Sequence, residues 1–279
     1  MISIKHVTIA MALTGTIALT QGLPQAYAYD TETIYQSTNL DGHQVFAECN
    51  PGGGTDCDCS DSDVVIESHA EYGEVTSNPF LNNTYVNAIG YKKFYEGLPN
   101  GEPLDLGQYI YRGQVRLTEN PFPNPYQVDN AQAVHMMIQF YDGRDELYVS
   151  NKTSLEGVIY WELNPWVPDS GAIKIGTGTT HQDFYLKPSG IVVNPDQEWH
   201  QFELAVDLKT QTYLHVKIGE QQVDLTGLPM TKVHHPDWGN DMALSITTES
   251  MASWPQYTCI LPFRWATRFR NLDFERVIQ

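Results

Sequence analysis

The stretch Ala133-Val134-His135-Met136-Met137-Ile138-Gln139-Phe140-Tyr141 decides the fold class. Val134, Met136, Ile138 and Phe140 fall on one side of an extended chain, and His135, Met137, Gln139 and Tyr141 on the other. A period of two fits a half-buried strand, because successive strand side chains point to opposite faces. Asp142-Gly143 follows, a dipeptide suited to a hairpin turn.

The alternation recurs on both sides of this run. Ile159, Trp161 and Leu163 oppose Tyr160, Glu162 and Asn164. His200, Phe202, Leu204, Val206 and Leu208 oppose Gln201, Glu203, Ala205 and Asp207. Leu214, Val216 and Ile218 oppose Tyr213, His215 and Lys217, and Met242, Leu244 and Ile246 oppose Ala243, Ser245 and Thr247. Residues 109–118 alternate too, with Arg112, Gln114 and Arg116 on the polar side. The N-terminal third is less regular and is punctuated by Asn50-Pro51-Gly52-Gly53-Gly54, Asn78-Pro79 and Leu98-Pro99-Asn100-Gly101. No segment has an equally clear helical period. The pattern predicts an all-β protein, an antiparallel β-sandwich or jelly roll.

The first residues have a different character. Lys5 precedes an uncharged apolar run from Val7 to Thr20, and Ala26-Tyr27-Ala28 gives the small-x-small pattern of a signal-peptide cleavage site. The run is too short for a membrane-spanning helix, which needs about 20 apolar residues. Residues 1–28 are therefore expected to be a signal peptide removed near Ala28. Residues 29–279 are expected to form a single secreted domain, extracellular or periplasmic, with no membrane span.

The chain carries 16 Lys and Arg against 34 Asp and Glu, a formal charge of −18. Loss of Lys5 makes the remainder one unit more negative. Nucleic acid and anionic membranes recruit basic patches, so neither is an expected partner. Anionic polysaccharides are disfavoured on the mean charge, although a local arginine cluster would override it. Cys49, Cys57, Cys59 and Cys259 make an even count in an exported chain, which suggests two disulfides with three connectivities open. A Cys57–Cys59 bridge would close a strained small ring, so it is the least favoured.

Glu198-Trp199-His200-Gln201-Phe202-Glu203-Leu204-Ala205-Val206-Asp207, with Tyr213 to Ile218 and the Gly219 turn, resembles a strand pair of the concanavalin A-like lectin/glucanase superfamily, including laminin-G-like modules. Phe269-Arg270-Asn271-Leu272-Asp273-Phe274-Glu275 looks like the last strand of such a jelly roll. The resemblance implies two curved antiparallel sheets, in a superfamily whose members often bind carbohydrate on the concave face. It does not carry the catalytic motifs across. Tyr160-Trp161-Glu162-Leu163-Asn164 has one acid where family 16 glucanases have a bracketing pair, and Gln132 and His135 lack the Q-x-H spacing of family 7 alginate lyases.

Candidate binding residues are Arg112, Arg116, His135, Gln139, Tyr141, Tyr160 and Glu162, if their strands are neighbours, together with Trp238. Aromatic rings stack on sugars while amides and charges hold hydroxyls, so the expected ligand is a polysaccharide or other glycan. A lyase would use His135, Tyr160, Arg116 and Gln139 as base, acid and uronate-neutralising groups. The expected function is lectin-like carbohydrate binding, with a polysaccharide lyase or glycoside hydrolase on the same fold as the alternative and an adhesion or structural protein with no sugar site as the second alternative. The oligomeric state is open. Two loops hold metal-capable groups: Asp58, Asp61 and Asp63 beside the cysteines, and His234, His235 and Asp237. Calcium is the natural guest of the first, although Asp61 stands where an EF-hand loop needs Gly.

Overall fold

The computed structural model describes residues 30–50, 63–78, 85–96, 106–118, 129–142, 153–165, 167–178, 185–234, 241–252 and 265–278. These build two antiparallel sheets. In the first, β13 (Gln221–Asp224), β12 (Thr212–Ile218), β11 (His200–Asp207), β6 (Gln108–Leu117), β16 (Trp265–Val277), β4 (Gly73–Asn78) and β3 (Asp63–Ser68) are neighbours in that order. β1 (Thr31–Ser37) pairs with the C-terminal half of β16. The second sheet runs β10 (Tyr185–Val192), β9 (Ala172–Thr177), β8 (Thr153–Glu162), β7 (Asp129–Asp142), β15 (Asp241–Ala252), β5 (Tyr85–Glu96) and β2 (Gln44–Asn50). β14 (Thr231–His234) pairs with the start of β8. The architecture agrees with the sandwich that the alternation and the concanavalin A-like resemblance imply.

Burial explains the pairing. Val134, Met136, Ile138 and Phe140 of β7 are fully buried, and they stand opposite Trp161, Ile159, Gly157 and Leu155 of β8. Phe202, Leu204 and Val206 of β11 do the same from the first sheet, beside Val115 and Tyr111 of β6. The two apolar faces meet as one core, in which Trp161 of β8 meets the His200 ring of β11 edge-on at 5.2 Å. Gly157 allows close approach of the sheets: a Cβ there would lie 3.0 Å from Val206 Cγ1.

One strand departs from its expected alternation. β12 pairs Tyr213 with Val206 and His215 with Ala205, so Leu214 is the extra residue of a bulge. The bulge turns Tyr213 into the core and leaves Leu214 on the outer face, packed against Ile110, Ala205 and Val277. The expected grouping of Leu214 with Val216 and Ile218 is thereby corrected: Tyr213 shares their face. A period-two reading cannot see a one-residue insertion, which swaps the faces of what precedes it.

Tyr213 then joins the two sheets. Its phenol donates to the Gly176 carbonyl of β9 at 2.5 Å and accepts from the Val158 amide of β8 at 2.8 Å. Burial pushes the phenol well above its ordinary range, so it stays a donor. Replacing it by phenylalanine leaves a buried N–H and a buried carbonyl without this partner. Urea unfolding of Tyr213→Phe should show a loss of about 1–3 kcal/mol with unchanged folded-state circular dichroism. Wild-type stability would contradict the staple.

Candidate active site

β7, β8 and β15 position the site on the outward face of the second sheet. The register aligns Ile89, Thr247, His135, Tyr160 and Lys174 in one row across β5, β15, β7, β8 and β9. The neighbouring row carries Asn87, Glu249, Ala133 and Glu162. His135 Nε2 lies 2.8 Å from Glu249 Oε2, and the Tyr160 hydroxyl donates to Glu249 Oε1 at 3.4 Å. The His135 and Tyr160 rings are in contact, with centroids 4.7 Å apart. One carboxylate therefore holds an imidazole and a phenol side by side. Glu249 is only 3% exposed, which strengthens its shorter contact, the one with His135.

Lys174 closes the row. Its ammonium reaches Glu162 at 2.9 Å and Asp169 at 2.8 Å. Burial alone would make it easier to deprotonate, but the two carboxylates outweigh that and raise its pKa. Lys174 is thus a fixed positive charge beside Tyr160. Gln139 donates to Glu156 Oε1 at 3.3 Å, two residue pairs further along β7 and β8 from Met137 and Val158. Glu249 and Glu162 flank Ala133 from either side, two strand spacings or about 10 Å apart in backbone terms. Both carboxyls are already engaged, Glu249 with the two rings and Glu162 with Lys174, which does not suit the nucleophile and acid of a retaining glycosidase.

His135, Tyr160, Gln139 and Glu162 are thus brought to one face, as the alternation implied. Arg112 and Arg116 are not: both belong to β6, in the opposite sheet, and point outward from it. The expectation that they line strands next to His135 is corrected, because strand order cannot be read from alternation alone. Arg112 is held by Glu203 at 2.5 Å and by Glu275. Arg116 lies over the Trp199 ring. The alternating strand also conceals Glu249, Thr247 and Ser245, whose polar run passes for a solvated face. All three are buried. The signal for Glu249 was present: extending the alternation of Ala243, Ser245 and Thr247 by two residues reaches it. Lys174 sits on β9, a strand the alternation did not single out.

Asp58, Asp61, Cys57, Cys59, His235, Asp237, Trp238 and Cys259 lie outside the described residues. Tyr141, Cys49, Asp63 and His234 lie on β7, β2, β3 and β14, but their side chains are outside the description. Among the described residues, no group of three or more His, Cys, Asp or Glu could hold a metal ion. No helix among them is long and apolar enough to cross a membrane.

No family model and no curated protein matches the chain. The chain is similar to solved structures, of which three are given. An endo-β-1,4-glucuronan lyase from the fungus Trichoderma reesei is 10% identical, with 88% of this chain and 96% of that one covered and a TM-score of 0.49. A carbohydrate esterase of a Shiga toxin-encoding bacteriophage is 12% identical over 89% of this chain and 100% of that one, with a TM-score of 0.44. An alginate lyase in complex with an alginate trisaccharide is 13% identical over 87% of this chain and 98% of that one, with a TM-score of 0.40. These likenesses assign no residue of this chain a role.

The outer face of the first sheet has a pH-sensitive pairing. Burial alone would raise the Glu203 carboxyl, but His215 at 2.5 Å and the Arg112 guanidinium overcome it and bring it down from 4.5 to about 2. A carboxylate more acidic in the folded chain stabilises the fold above its unfolded value, and that contribution fades as pH falls from about 4.5 to about 2. Glu203→Gln should therefore lose less stability across this acid range than the wild type. Denaturant titrations at several pH values check this, and an unchanged acid slope would contradict the pairing.

Proposed function

We propose that the protein acts on an extracellular polysaccharide, and that His135, Tyr160 and Glu249 form a β-elimination centre for a uronate chain. The observation that carries this is the single carboxylate holding both rings. A carboxylate only accepts, so the Nε2–H of His135 donates to Glu249 and leaves the Nδ1 lone pair available. Nδ1 has no hydrogen-bond partner among the described residues.

In this reading His135 Nδ1 takes the proton from C5 of a uronate residue. The electron pair left at C5 forms the C4=C5 double bond as the C4–O bond breaks. The Tyr160 hydroxyl, whose bond to Glu249 is long and weak, delivers its proton to the departing oxygen. The Lys174 ammonium, protonated next to Tyr160 by its pairing with Glu162 and Asp169, is the cation beside the reacting sugar and would have to share its charge with the uronate carboxylate. Gln139 is a further polar group on the same face for sugar hydroxyls. No paired carboxylates are required, in keeping with the engagement of Glu249 by the two rings and of Glu162 by Lys174.

A second reading is lectin-like binding on the same face without cleavage. It is favoured by the engagement of Glu249 with the two rings and of Glu162 in an ion pair with Lys174, which gives the face fixed rather than reactive carboxylates. Purified protein incubated with polyuronates and neutral glucans separates the two. Elimination gives a new ultraviolet absorbance from the unsaturated product together with new reducing ends. His135→Ala and Tyr160→Phe should each lower that rate by roughly 10²–10⁴-fold. Retarded migration through a glycan gel without new absorbance would overturn the enzyme in favour of the lectin. Wild-type rates in both variants would displace the centre from this face.

A further inference from the structure

The outer face of the first sheet, remote in the topology from His135, holds arginines that the proposed elimination does not use. Register places Arg268 of β16 directly opposite Arg116 of β6, and Arg270 opposite Gln114. Like charges directly across a ladder repel. Glu74 compensates Arg268 at 2.9 Å, and Arg112 has Glu203 and Glu275. Arg116 and Arg270 have no carboxylate partner among the described residues. In a chain with 34 acids and 16 bases, that is where opposite charge would be expected to gather.

Instead both guanidiniums converge on one indole. Arg270 Cζ is 4.1 Å and Arg116 Cζ is 5.9 Å from the centre of the Trp199 ring. Arg270 Nε also donates to Gln114 Oε1 at 2.6 Å, which fixes the plane of its fork. Gln114 in turn stands opposite Gln201 of β11. Both amides line an adjoining cavity of about 380 Å³ that also takes in Asn271 and Asp273. Asn271 sits at the bulge in β16 with φ of 52°, a left-handed conformation uncommon outside glycine.

We propose that Arg116, Arg270 and Trp199 form a second glycan site, separate from the His135 face, that takes the carboxylate of an acidic sugar. A planar carboxylate matches the forked donors of a guanidinium. The indole holds both forks by cation–π attraction without neutralising them. The amides of Gln114 and Gln201 offer hydrogen bonds to hydroxyls of the same sugar in the adjoining cavity. The site would hold an acidic polymer against the sheet opposite the elimination centre.

The test titrates full-length mature protein with oligogalacturonate, dextran sulfate and a neutral glucan, following tryptophan fluorescence and calorimetric heat. His135→Ala serves as background to stop cleavage, and calorimetric stoichiometry separates this site from sugar held on the His135 face, because the double arginine variant should lose one site and keep the other. The expected result is salt-sensitive binding of oligogalacturonate that Arg116→Gln/Arg270→Gln weakens at least tenfold. Trp199→Phe should remove the fluorescence response, and both variants should keep the parent melting temperature within a few degrees. Undiminished oligogalacturonate binding in the double arginine variant would overturn the proposal. So would tight binding of dextran sulfate alone, or equal binding of the neutral glucan.

Discussion

Burial of two apolar strand faces against each other is the constraint on which everything else rests. Once Val134, Met136, Ile138 and Phe140 are committed to the core, His135, Met137 and Gln139 must face the other way. The same holds for Tyr160 beside Ile159 and Trp161, and for Glu249 beyond Ile246. Ladder register then does the rest, bringing His135 against Tyr160 and one row from Glu249. The site needs no special loop to assemble it. Its geometry is inherited from core packing, so a slip of one residue in β7 or β15 would scatter it.

The sequence made some of this legible and hid the rest for physical reasons. The strands that alternate, β6, β7, β8, β11 and β15, have one face in the core and a second that is largely polar, interrupted by residues such as Ile110, Val158 and Ala205, which is the arrangement that writes a period of two. β10 does not alternate: as the edge strand next to β9 it keeps Tyr185 and Val192 exposed and accommodates Pro188. The bulge at Leu214 defeats alternation in β12. Strand order is the largest omission, since nothing in the period of Arg112 and Arg116 shows that β6 lies in the opposite sheet. His135, Tyr160, Gln139 and Glu162 could be placed on one face because their strands are consecutive. Glu249 could not, because β15 pairs with β7 from far along the chain.

The two outer faces differ in how they handle charge. Beside His135, each described carboxylate has a partner: Glu249 with the two rings, Glu162 with Lys174, Glu156 with Gln139. Fixed partners preorganise a reaction centre, because polar groups already oriented need not turn when charge develops. On the first sheet, Arg112 and Arg268 are paired while Arg116 and Arg270 lean on an aromatic ring. An acidic chain can therefore approach an acidic polymer through a local basic surface, since screening limits the reach of its mean charge to about 8–10 Å at ordinary salt.

The most direct measurement is a crystal structure of the Tyr160→Phe protein soaked with a short uronate oligosaccharide. The account predicts sugar density across β7 and β8, with one residue's C5 hydrogen directed at His135 Nδ1 and its carboxylate toward Lys174. An oligosaccharide bound elsewhere with the His135 face bare, or one lying on that face with C5 turned away from His135, would contradict it.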